Sequence, residues 1–137
     1  MYIDMKYFNM KELTRTNTGL ANIPTKEQES NLIRLVEKVL DPLREIYGRP
    51  IYVNSGFRSK EVNKKVGGAT YSAHLRGCAV DITTKEKEHN AMLYYLMMFR
   101  VMKGEMEVTK VINEKDFLWL HIEYTEGLTP GYFIEIK

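Results

Sequence analysis

The chain has 137 residues, enough for one domain with a hydrophobic core of its own. Apolar residues make up 44% and charged residues 28%, ordinary for a soluble globular protein, and a formal net charge of +2 gives no bulk electrostatic case for a nucleic-acid partner. The single cysteine, Cys78, excludes an intramolecular disulfide, and no stretch approaches the roughly 20 apolar residues that span a bilayer.

Met1 to Met10 carries Asp4 and Lys6 and lacks a continuous apolar run, so it does not read as a signal peptide. The expectation is a chain made in the cytoplasm that reaches any outside site of action by another route. Asn9 followed by Glu12 marks a short helical turn over Asn9 to Leu13. Thr14 to Pro24 reads as a loop. Thr25 with Gln28 forms a capping box, and Leu32, Leu35, Val36, Val39, Leu40, Leu43, Ile46 and Tyr47 then recur on one helical face. Pro42 interrupts this helix and predicts a kink, and Gly48 ends it.

Pro50 to Asn54 predicts a first strand, and Ser59 caps a short helix from Lys60 to Val66. Ala69 to Gly77 reads as irregular. Cys78 to Thr83 predicts a second strand. Thr83 with Glu86 suggests a cap for a helix running to about Met102, whose Met and Tyr residues from Met92 onward read as core. Three apolar runs follow, Met106 to Ile112, Phe117 to Tyr124 and Tyr132 to Ile136, with Glu126-Gly127 and Pro130-Gly131 as turn signals before the last. They suggest an antiparallel meander. Helices first and most strands later make an α+β domain over residues 1–137.

Two polar residues sit oddly in apolar strands. Asp81 lies between Val80 and Ile82, and His121 between Leu120 and Ile122. A buried carboxylate is costly unless paired, hydrogen-bonded or metal-bound. His74 precedes Asp81 by seven residues, and Gly77 permits a tight turn between them. Imidazole nitrogen and carboxylate oxygen are common zinc donors. Spacing alone leaves a metal site and satisfied core residues both open.

The motifs Ser55-Gly56-Phe57-Arg58-Ser59, Ser72-x-His74-x-x-Gly77-x-Ala79-x-Asp81 and Trp119-x-His121, in this order, resemble the zinc D-Ala-D-Ala carboxypeptidase family. That family shares the fold of the hedgehog signalling domain and includes D-Ala-D-Ala dipeptidases and phage L-alanyl-D-glutamate endopeptidases. The resemblance implies an antiparallel sheet with helices on one side, and a zinc peptidase acting on peptidoglycan or its muropeptides through a zinc-activated water. It implies Zn2+ held by His74, Asp81 and His121, Arg58 on a substrate carboxylate or the developing oxyanion, and Ser72 on substrate or shaping its loop. A planar guanidinium suits that grip, since it can present two parallel hydrogen bonds. Relatives place Asp or Glu three residues before the last histidine; here Leu118 stands there. Glu114 is therefore the first candidate for proton transfer, with Asp116 and Glu123 as alternatives. Leu118 also motivates a second expectation, a non-catalytic zinc-binding module of a cell wall-binding or phage structural kind.

Overall fold

A computed structural model of the chain describes residues 5–128 and 131–136. Five helices and five strands follow one another as α1 (Met10–Leu13), α2 (Lys26–Leu35), α3 (Asp41–Tyr47), β1 (Tyr52–Ser55), α4 (Lys60–Lys65), β2 (Ala79–Thr83), α5 (Lys87–Met102), β3 (Lys110–Glu114), β4 (Trp119–Glu123) and β5 (Tyr132–Ile136). The class is α+β, with a mostly antiparallel sheet in the order β1-β2-β4-β3-β5.

The long amphipathic helix is two helices joined by a π-helical turn over Val36–Leu40. Proline has no N–H to donate, so an uninterrupted α-helix would lose a bond at Pro42. The π turn widens the ladder just ahead of it, with Asp41 N–H donating to the carbonyl of Val36 five residues back, and Pro42 falls in the first turn of α3. The capping boxes at Asn9/Glu12 and Thr25/Gln28 form as their sequences predict. The cap predicted at Thr83 does not. Helix α5 starts after Glu86 without a side-chain cap, and Thr83 Oγ1 instead accepts from Lys85 N–H and Asn90 Nδ2.

The last three strands are not a meander. Strands β3 and β4 form an antiparallel hairpin, but β5 crosses over to lie parallel to β3. The apolar segment 106–109 contributes Met106 and Val108 to the core without joining the sheet. The turn predicted at Pro130 lies outside the described residues. Among the described residues no helix is long and apolar enough to cross a membrane.

One sheet face, bearing Val53, Val80, Ile82, Val111, Leu120 and Ile122, packs against Leu32, Leu35, Val36, Leu40, Leu43, Leu93, Tyr94 and Met97. Side chains alternate along a strand, so the opposite face carries Asp81 on β2, His121 and Glu123 on β4, and Lys110, Ile112 and Glu114 on β3. Helix α5 is only partly core. Leu93, Tyr94 and Met97 are buried, whereas Met92, Tyr95, Phe99 and Met102 point outward, contrary to the expectation that the whole run is core.

Candidate metal centre

Sheet register sets the first pair. Asp81 and His121 are directly opposed on adjacent antiparallel strands. His74 comes from a 3-10 turn, Ala73–Arg76, just before β2. Ser72 starts that turn, its hydroxyl accepting from His74 N–H, and Gly77 ends it in the left-handed region at φ 76°. A side chain at Gly77 would meet the Gln28 carbonyl oxygen at 2.3 Å, so the turn closes tightly against α2 only because glycine stands there. The three side chains converge, with one donor atom from each lying within 4.8 Å of the others.

Each ligand candidate is held by a neighbour. His74 Nδ1 lies 2.7 Å from the Gly56 carbonyl oxygen. A carbonyl only accepts, so Nδ1 donates to it and Nε2 is the ring nitrogen left to face the centre. That Nε2 is buried, has no hydrogen-bond partner among the described residues, and sits 3.4 Å from Asp81 Oδ2. A buried polar atom left unpaired is costly, and a cation between the two groups would satisfy it. His121 Nδ1 faces Asp81 Oδ1 at 2.9 Å, and its Nε2 faces Glu123 Oε2 at 2.7 Å. Asp81 Oδ2 also accepts from Arg58 at 3.3 Å. Two imidazoles and one carboxylate, each oriented by a second group, form a donor set that fits a divalent transition metal with room for solvent.

The electrostatics without a metal agree with this arrangement. Burial would push the Asp81 carboxyl up, but its contacts with His121 and His74 outweigh that and hold it well below the usual carboxylate range. Burial would lower His121, yet hydrogen bonds to Asp81 and Glu123 push its pKa up to about 9. Burial raises Glu123 less than His121, Lys110 and Arg76 lower it, so it stays ionised.

The remaining predicted residues are placed as follows. Arg58 is largely committed within the protein, with Nε donating to Ser55 Oγ at 3.0 Å, one terminal nitrogen to Asn63 Oδ1 at 3.2 Å and the other to Asp81. Glu114 stands on the same face as His121, paired across strands with Trp119, and among the described residues has no side-chain hydrogen bond or ion pair. Asp116 is exposed and pairs at 3.8 Å with Lys87 at the start of α5. Glu123 is the carboxylate drawn into the centre, lining a cavity of about 320 Å³ together with His121, Ser72, Tyr71, Arg76 and Lys110. Leu118 lies just outside β4, half exposed. His89, on α5 away from the centre, is half-buried and bonded to Tyr47 Oη at 2.7 Å. Cys78 is free and buried.

Sequence reasoning misses three supporting groups. The Gly56 carbonyl orients His74. Asn63, buried in α4, holds both Arg58 and the Ala69 carbonyl. Asn22 pins the Arg58 loop by donating to the Thr14 and Phe57 carbonyls and accepting from Ser59 N–H. The first is backbone and leaves no residue signal. Asn63 sits among lysines on a short polar helix, and Asn22 in a loop with no periodic pattern, so nothing marks either as inward-facing.

An α+β fold carrying a two-histidine, one-carboxylate centre on a sheet face is the architecture of a mononuclear metalloprotein. Residues 6–114 match the peptidase M15 family, and the chain belongs to that family. His121 lies beyond the matched stretch and joins the centre through the pairing of β2 with β4. The chain is also similar to a zinc D-Ala-D-Ala carboxypeptidase of Streptomyces albus G, at 36% identity over 78 residues, which cover 55% of this chain and 30% of that protein's length.

Proposed function

We propose that this protein is a zinc-dependent peptidase that hydrolyses peptidoglycan stem peptides, of the D-Ala-D-Ala carboxypeptidase or L-Ala-D-Glu endopeptidase type, acting at the cell wall. The observation carrying this reading is the buried, unpartnered Nε2 of His74 facing Asp81 beside His121, in a chain of a peptidase family. Zinc bound there supplies Lewis acidity and a water whose pKa falls toward roughly 7.

The chain's own residues do the rest. His74 offers Nε2, with its ring fixed by Gly56. His121 offers Nδ1 once that nitrogen gives up its proton, while Glu123 holds Nε2. Asp81 contributes a carboxylate oxygen and keeps Arg58 beside the centre. A guanidinium has five N–H donors, and three are used internally, so Arg58 retains two for a substrate carboxylate or the developing oxyanion. Ser72, on the cavity wall, offers a hydroxyl to substrate. Glu114, without a side-chain partner among the described residues and on the site face, takes the proton and passes it to the leaving amine. From Glu114 the diagonal neighbour His121 lies about 7–8 Å away between Cα atoms, within reach of a glutamate side chain.

The test is incubation of the zinc-loaded protein with muropeptides, with and without a chelator. Chelator-sensitive release of D-alanine, or cleavage after L-alanine, is expected, and Glu114→Gln should abolish it while metal content stays unchanged. A protein holding one equivalent of zinc that binds wall fragments but cuts none would instead support the non-catalytic module that the half-exposed Leu118 favours.

A further inference from the structure

A cavity of about 690 Å³ lies between α4 and the loop 68–76, and it shares Tyr71, Ser72 and Arg76 with the smaller cavity that reaches His121 and Glu123. The two cavities adjoin along these three residues, and the smaller one reaches the candidate centre at His121.

The charge of the larger compartment is one-sided. Lys60, Lys64 and Arg76 line it, and no carboxylate does. Among the described residues Lys60 and Lys64 have no ion pair or side-chain hydrogen bond. Arg76 acts through space on Glu123, which is already held by His121 and by Lys110 at 3.7 Å. Cations gathered on a concave wall raise the local concentration of an anion and strengthen its binding. The lining also includes Leu75 and the ring of Tyr71, 90% exposed and open to a ligand. The wall is fixed to the centre, since the buried Asn63 bonds the Ala69 carbonyl and Arg58, and Arg58 bonds Asp81.

We propose that this compartment is a subsite for an acidic arm of the substrate peptide, its free carboxylate held by Lys60, Lys64 and Arg76 and its aliphatic stem lying against Tyr71 and Leu75. The inference rests on the peptidase reading and adds a requirement to it: a carboxylate at a fixed distance from the scissile bond.

The test compares two peptides that differ only in that arm, one with a free side-chain carboxylate and one with the carboxamide. The zinc-loaded protein should favour the acid about tenfold in kcat/KM, mainly through KM, the size of two or three part-exposed ion pairs. Raised salt should narrow the ratio. In a Lys60→Gln/Lys64→Gln double variant it should fall to within about twofold. Calorimetric titration with the matching product peptides should show the same ratio in Kd without turnover. Equal affinity for acid and amide, or an unchanged preference in the double variant, would overturn the subsite. Cleavage of both peptides without preference would leave the peptidase reading standing and sink the subsite. An acid preference in the titration that the double variant loses, with no cleavage of either peptide, would do the reverse.

Discussion

Raising the pH of the metal-free protein from 6 to 9 should destabilise it, because His121 is built to stay protonated. Its pKa rises from the ordinary 6.5 to about 9 through Asp81 at Nδ1 and Glu123 at Nε2. A raised folded-state value stabilises fully below the unfolded pKa and is lost as pH climbs through the folded one. The window is therefore about pH 6.5 to 9, and at about 1.4 kcal/mol per tenfold change in proton affinity the loss amounts to about 3 kcal/mol. That is a large part of a small domain's total stability, typically about 5–15 kcal/mol. Denaturant unfolding of chelator-treated protein at pH 6, 7.5 and 9 measures the loss, and NMR titration of the imidazole measures the pKa directly. Metal must displace the Nδ1 proton, so metal affinity should rise over the same interval in which the metal-free protein weakens. A His121 resonance titrating near 6.5, or a stability flat across the window, would refute the reasoning.

Glu123→Gln should weaken zinc about 10–100-fold, as loss of an orienting carboxylate behind a histidine ligand generally does, measured by competition with a chromophoric chelator. Gly56→Ala should lower stability by at least about 2 kcal/mol in denaturant unfolding, because its Cβ would lie 2.1 Å from the Leu13 carbonyl oxygen; the strain also moves the carbonyl that orients His74, so zinc content after mild purification should fall.

The elements with periodic or capping signals were legible in the sequence. The boxes at Asn9 and Thr25, the Ser59 cap and the Gly48 stop all follow from local chemistry that tertiary packing does not override. The partner of β5 was not legible, since an apolar run after a turn signal carries no information on whether it pairs with β4 or crosses to β3. The outward face of α5 escaped for a related reason: a helix apolar nearly all round has a weak directional pattern, and only packing decides that Tyr94 turns inward and Tyr95 outward. At the centre, Asp81 and His121 announced themselves as polar residues among apolar neighbours. Glu123 could be placed on the same face as His121 from its two-residue spacing, but its contact with the ring nitrogen needed the fold.

With Asp81 and His121 as the proposed ligands, their cross-strand pairing would tie metal capture to strand alignment. Successive strand residues face opposite ways, so a slip of one position between β2 and β4 would turn one of the two into the hydrophobic layer while the other stayed outside. Only a correctly zipped sheet would bring both side chains to one ion. Loading at this pair would withdraw aligned molecules from any misregistered population, since an ion that binds only the aligned form stabilises that form.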